Sequence, residues 1–344
     1  MKTGLYCLIP AILILTIAPS GRAQGSEPAK TEIQGHTMYT LLGPGAIPAI
    51  FEPEFVTAAQ AESTYYEHEL LLVVTGGKAA KAYSTWHLDR HEVVNDFIDG
   101  AAIVVTWYPL CYTGIVYAAM VDTARLTFQA SGSLWQDALV MQDLQTGSLW
   151  SQVSGECISG PMIGTRLELH PSMQTTFAQF AKLYPDGLLL TKLQKGEPGS
   201  DFSDRFASRE RIGASGRVNQ SEQLDGKAKV FGIRQGGQAV AISENYLIEH
   251  AYATTTVVSP PVLVTFDQVS HTVAAFSLDL FTANELTRLQ VTREVIINPS
   301  ANRKWNSRTG AALTDDTDDL QPAPVVSAFW FAWVTFFPQT ELVK

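Results

Sequence analysis

The sequence predicts an α+β fold rich in β structure: two related antiparallel β lobes, each with a short aromatic helix. Three observations predict it. From Leu70 onward, short runs of β-branched and aromatic residues follow one another at close spacing, with turn residues between them; this is the signature of an antiparallel meander rather than of βαβ units. Convincing helical periodicity is confined to short stretches that stop at a proline. The layout of the first half also recurs, more faintly, in the second.

The elements are read in chain order. Met1-Lys2, an apolar run over residues 5–18 and the small residue Ala23 make a secretory signal peptide over residues 1–23. The run is too short to cross a bilayer comfortably, which takes ~20 residues. Residues 24–45 are polar and Gly-rich and read as a loose leader. The N-terminal lobe follows over residues 46–191. Thr57 is an N-cap candidate for a short helix within residues 57–67. Residues 70–75 and 78–83 form a hairpin about Gly76-Gly77. Residues 86–90 form a turn or short helical piece. Strands are expected around Val93-Val94 and over residues 103–107, 115–120, 126–129, 139–141 and 149–153. A helix over residues 175–184 carries Phe177, Phe180, Ala181 and Tyr184 on one face, and Pro185 ends it.

Residues 192–226 are polar, with Gly, Ser and mixed charge, and read as a connection at a domain boundary. Residues 227–344 then form the C-terminal lobe, a degenerate repeat. Gly236-Gly237 matches Gly76-Gly77, and Leu263-Val264-Thr265 matches Val104-Val105-Thr106. Phe276 matches Tyr117. Trp305-Asn306 and Thr309-Gly310 match Trp150-Ser151 and Ser154-Gly155, and residues 333–338 match 180–185. The copy keeps no His-Glu pair, cysteine or Asp-x-x-Thr-Gly-Ser motif. Residues 328–337 are very hydrophobic and end at Pro338; they are read as a buried helix, not an anchor, so no membrane span remains after signal cleavage.

Composition narrows the function classes. The chain of 344 residues has a net charge of −10, with 46% hydrophobic and 17% charged residues. Loss of Lys2 and Arg22 with the signal peptide makes it more acidic. An acidic surface repels phosphate backbones and anionic lipid, so nucleic acid is not an expected partner. The expected location is the periplasm or the medium. Cys111 and Cys157 survive processing. They are too few for a disulfide scaffold, and either pair with each other or remain free thiols.

The chemistry-bearing residues cluster between Tyr83 and Trp150: His91-Glu92, Asn95-Asp96, Pro109-Leu110-Cys111, Thr113-Gly114, and Leu139-Val140-Met141-Gln142-Asp143 with Thr146 to Trp150. With Ile47-Pro48-Ala49, Gly160-Pro161, Gly164 and Phe329-Trp330-Phe331-Ala332-Trp333, their order resembles a bacterial family known as domain of unknown function 3179. The likeness runs from roughly residue 45 to the end. It implies no reaction. Against the family pattern, Tyr108 stands for the first cysteine of Cys-Pro-Leu-Cys, Tyr112 for the glycine after the second, and Ser84 for the proline after Ala-Tyr. Cys157 stands for a small residue. If the paired cysteines hold a metal or a redox disulfide, half of that device is absent here.

Two functional readings follow. In the first, the protein binds a small molecule or an envelope component in a polar pocket of the first lobe, with Glu92, Asn95, Asp96, Thr113 and Asp143 as ligand contacts. In the second, Cys111 acts with His91, as thiol nucleophile and base or as ligands of a copper-like transition metal ion. Each residue also has a structural reading. His91 and Cys111 serve as buried core groups. Asp143 and Thr146 cap a turn. Trp150, Trp305, Trp330 and Trp333 fill the core rather than stack on sugars. Adjacent residues on a strand face opposite sides, so His91 and Glu92 do not both line one pocket unless the strand bulges. The distance from the Cys111 sulfur to the His91 ring separates the two functions.

Overall fold

The computed structural model describes residues 28–76, 79–195, 201–214, 216 and 221–344. Residues 1–23, expected from sequence to be a signal peptide, lie outside the described residues. Two large sheets organise the rest. One runs Tyr252–Thr255, Val262–Asp267, Thr272–Ser277, Met173–Thr176, Leu70–Thr75, Ala80–Ser84, Leu188–Leu190, Phe55–Thr57. The other runs Val93–Ile98, Ala101–Tyr108, Thr113–Ala118, Val326–Phe329, Lys229–Gln235, Gln238–Ser243, Glu341–Val343. The two orders are the same with the halves exchanged: each sheet joins the three-stranded meander of one half to the four-stranded unit of the other. Among the described residues, only the edge strand Phe55–Thr57 lacks a counterpart. Pairing is antiparallel throughout, except where Leu188–Leu190 runs parallel to Ala80–Ser84 and Glu341–Val343 parallel to Gln238–Ser243.

The repeat holds at single residues. Thr106 Oγ1 donates to Ile115 O at 2.8 Å, and Thr265 Oγ1 to Ala274 O at 3.4 Å. Tyr117 pairs with Val104, and Phe276 with Leu263. Gly155 and Gly310 have φ of 72° and 73°. A Cβ there would lie 2.8 Å from the Tyr117 ring and 2.6 Å from the Phe276 ring, so both turns need glycine twice over, for the left-handed backbone and for the ring beside it. The equivalent residues Gln174 and Ser327 hydrogen-bond to each other through their side chains, which marks the pseudo-twofold axis.

The helices are short and well defined. Thr57 caps Ala58–Ala61 in a capping box with Gln60. Ser84 and Ser243 cap the equivalent helices Thr85–Leu88 and Glu244–His250. Phe177–Leu183 and Trp330–Phe336 begin two residues after the start expected from sequence, because residues before each of them complete a strand, Met173–Thr176 and Val326–Phe329. Trp330, Phe331 and Trp333 are fully buried, each worth ~1.5–3 kcal/mol or more of hydrophobic stabilisation. No helix among the described residues is long and apolar enough to cross a membrane.

Two segments are more ordered than their composition suggests. Within residues 24–45, read above as a loose leader, Ala29–Ile33 and His36–Thr40 form a hairpin about Gln34 and Gly35, both at positive φ. It pairs with Phe128–Trp135 at the edge of a six-stranded sheet, where Met38 and Trp135 are buried. Within the connection, Phe202–Ala207 is a helix; Phe206 is buried, and Phe202, Ile212 and Leu224 pack on the main core.

Candidate apolar cavity with two carboxyl groups

The turn after helix Thr85–Leu88 sets the geometry. Glu92 N donates to Leu88 O at 2.8 Å, and Glu92 O accepts from Trp107 N at 2.9 Å. These bonds hold Glu92 in the left-handed region, at φ 57°. Its side chain lines a cavity of about 290 Å³ together with Asp89 and the apolar Leu41, Leu42, Leu110 and Phe202. Tyr108 also lines it, at the place of the family's first cysteine. Gly132 forms part of the wall at φ 77°; a Cβ there would lie 2.2 Å from Leu42 O, so only glycine lets residues 41 and 42 close over the cavity.

The two carboxyls are held differently. Asp89 accepts from Trp107 Nε1 at 2.7 Å and from Ser203 N and Oγ at 2.8 and 3.0 Å. Burial raises its pKa to about 7 against these hydrogen bonds. Glu92 is 5% exposed, and among the described residues none donates a hydrogen bond to its carboxyl. Burial, helped by Asp89, raises its pKa to about 8. At neutral pH Glu92 is therefore largely a neutral acid and a hydrogen-bond donor.

The other candidates are dispersed. His91 faces away from the cavity: its Nδ1 meets Pro48 O at 2.7 Å, and its ring lies 4.6 Å from that of His87. Burial foremost, with the charges of His91, Lys192 and Arg90, lowers the His87 pKa to about 3. Cys111 is fully buried and donates to Asp137 O at 3.4 Å rather than to His91. Burial, with Asp137 nearby, pushes its thiol pKa up, which disfavours the thiolate. Cys157 donates to Ser159 O at 3.4 Å, and both cysteines are free. No cluster of three or more His, Cys, Asp or Glu suited to a metal ion occurs among the described residues.

Asn95, Asp96, Thr113 and Asp143 have protein partners. Asn95 braces Phe128, giving Nδ2 to its carbonyl at 2.8 Å and taking its N–H at 2.7 Å. Asp96 receives Lys81 Nζ at 2.9 Å and the Tyr83 hydroxyl at 2.6 Å. Thr113 donates to Gln152 Oε1 at 2.9 Å. Asp143 caps its turn through Thr146 and accepts from Trp150 Nε1 at 2.9 Å. Trp150, Trp305, Trp330 and Trp333 are all buried. Of the residues proposed from sequence, the cavity gathers Glu92 alone. It adds Tyr108, named from sequence only as a departure from the family pattern, and Asp89 and the connection residue Phe202, which the motif reading passed over. The available signal was a second carboxyl three residues before Glu92, at the end of the helix that precedes its turn.

Fold and site thus define a duplicated β-rich protein whose first half keeps an acid-lined apolar cavity. The chain belongs to the family described as protein of unknown function (DUF3179), whose sequence profile matches residues 44–340. No curated protein and no solved structure matches it.

Proposed function

We propose that the protein is an exported binder of a small, mostly apolar molecule carrying a hydrogen-bond acceptor such as a carbonyl. One observation carries this reading: a buried carboxyl, Glu92, to which no described residue donates, lining an apolar cavity. Convergence of a few polar groups with perturbed pKa on a concave apolar site is the usual mark of a ligand site. The protonated Glu92 donates to the ligand, while Asp89, already held by Trp107 and Ser203, orients the wall. The basic start and short apolar run of residues 1–23 support export, so the ligand is a periplasmic or extracellular molecule or an envelope component. A thiol enzyme or copper-like centre built on Cys111 and His91 draws no support from a thiol bonded to Asp137 O and an imidazole bonded to Pro48 O.

The sign of the pH effect follows from Glu92. Its pKa is raised from 4.5 to about 8, so the folded state keeps a proton that the unfolded chain has released. The associated stability is full below 4.5 and is lost as pH rises through about 8. Donation to a ligand is lost over the same upper limb. Titration of the mature chain with acetophenone, followed by calorimetry and NMR, is expected to show binding at pH near 6 that weakens about five- to tenfold by pH near 9.5. Glu92→Gln keeps a donor at every pH and is expected to retain binding at pH near 9.5, leaving only the dependence set by Asp89, whose pKa of about 7 also falls in this range, whereas Glu92→Leu loses the polar contact. Equal affinity in Glu92→Leu at both pH values would sink the proposal.

A further inference from the structure

A second cavity, of about 150 Å³, lies where the two halves meet, beside the axis marked by Gln174 and Ser327. Its charged lining is Lys229 and Glu244 from the second half and Asp204 from the connection; Trp86, Tyr112 and His271 add aromatic and imidazole walls. Tyr112 and His271 are equivalent residues of the repeat, both at positive φ in the turn that precedes the third meander strand. The cavity is thus a product of the duplication, but its two sides differ. Lys229 stands where the first half has Leu70, each opening the equivalent strand.

The charges are positioned but not closed on one another. Lys229 Nζ donates to the Tyr112 hydroxyl at 3.2 Å and lies 4.4 Å from the centre of its ring. Trp86 Nε1 donates to Asp204 Oδ2 at 2.8 Å. Among the described residues, no ion pair joins Lys229 to Glu244 or Asp204, although all three line one small space. Burial opposes the charge on Lys229, but Tyr112 and Glu244 outweigh it and hold its pKa above the ordinary lysine value. A cation and a carboxylate that share a cavity without touching leave a gap that a ligand with the opposite pair of charges fills. The size is also restrictive: an apolar cavity of ~150 Å³ holds benzene, about six heavy atoms.

We propose that this cavity binds a small zwitterion of the size of alanine, with its carboxylate on Lys229 and its ammonium group on Glu244. His271 and Trp86 restrict the side chain to a small group. The proposal does not depend on the Glu92 cavity, since no residue lines both.

The test is calorimetric titration of the mature chain with L-alanine, with propionate and ethylamine as singly charged counterparts. Saturable alanine binding is expected, with each counterpart roughly tenfold weaker or more, because each loses one charge-assisted contact. Lys229→Met and Glu244→Gln are each expected to weaken alanine binding by about tenfold or more, while Glu92→Gln leaves it unchanged. Circular dichroism melts accompany the variants; if Lys229→Met does not fold, Glu244→Gln, on a partly exposed helix position, decides. No saturable binding of alanine up to about 50 mM would overturn the proposal, since that limit corresponds to less than about 2 kcal/mol. So would propionate binding as tightly as alanine, or affinity unchanged in Glu244→Gln.

Discussion

The two halves share a fold and differ in what they bury. In the first, the left-handed residue before the meander is Glu92; in the second it is Ala251, at φ 66°, and its carbonyl likewise accepts from Phe266 N at 2.8 Å. The histidine before it is kept, as His250, but there it stacks on Tyr246 at 4.1 Å. Trp107 becomes Phe266 and Asp89 becomes Ile248, so the indole–carboxyl contact has no equivalent. Glu69, whose carbonyl accepts from Phe177 N, becomes Ala228, whose carbonyl accepts from Trp330 N. The backbone scheme is therefore independent of these acids. They have been kept, or added, in one half only. A carboxyl that the fold does not need, buried at a desolvation penalty, is better explained by what it contacts than by stability.

The largest test of this comparison is the buried ion pair of the first half. Lys192 Nζ pairs with Glu69, which also accepts from Ser84 Oγ; both charged side chains are almost wholly buried, and Lys192 lies 4.1 Å from the centre of the Tyr65 ring. Removing the cation leaves a buried carboxylate uncompensated. Lys192→Met is expected to destabilise by about 3–5 kcal/mol in urea unfolding at pH 7. Adding Glu69→Ala, the residue type of the second half, is expected to recover much of that loss. A double variant as unstable as the single one would mean that the halves do not obey one backbone scheme.

A smaller effect sharpens the symmetry itself. Gly155→Ala and Gly310→Ala meet the same positive φ and the same close ring, Tyr117 or Phe276. Each is expected to destabilise by about 1–3 kcal/mol, from left-handed strain plus repacking. The first is expected to be the worse of the two, because the Tyr117 hydroxyl also donates to Gln152 O at 2.7 Å and accepts from Arg234 at 2.9 Å. Thermal unfolding of both variants measures the difference; a neutral Gly310→Ala beside a damaging Gly155→Ala would limit the equivalence to topology.

Much of the architecture was legible in the sequence, for local reasons. The turn glycines, the Thr57 cap, the strand runs and the proline-terminated aromatic helices are fixed by neighbours in the chain. The exchange of meanders between the sheets was not legible. The residues of a strand such as Val93–Ile98, buried on both faces with only Phe97 exposed, do not tell which strand lies beside it. The helix within the connection is not legible either, because the segment's polar composition hides Phe202 and Phe206, one helical turn apart with stacked rings 6.1 Å apart. In the site, Glu92 stood out, but Asn95 and Asp96 look equally functional until Phe128, Lys81 and Tyr83 are found satisfying them. A polar side chain reveals its role only through partners distant in sequence.

The smallest effect expected concerns Cys111, the residue with most chemistry in its side chain and least around it. Its equivalent in the second half is Ser270, whose carbonyl accepts from Thr176 N as Cys111 O accepts from Phe329 N. The repeat thus tolerates sulfur or oxygen here, provided the carbonyl is presented. Asp137 O, which receives the thiol at 3.4 Å, can receive a serine hydroxyl instead. Cys111→Ser should therefore fold and lose no more than about 1–2 kcal/mol, the balance between a better hydrogen bond and a more polar buried atom. Ligand affinity at the Glu92 cavity should not change, because Cys111 is not among the residues lining it. Before substitution, native protein should react slowly with a thiol reagent, since both sulfurs are buried and burial raises both thiol pKa values; unfolding without reductant should release two titratable thiols. If Cys111→Ser instead folds normally yet abolishes ligand binding, or if native Cys111 reacts rapidly, the sulfur has a role that Ser270 does not share. The functional difference between the halves would then lie at the cysteine rather than at Glu92.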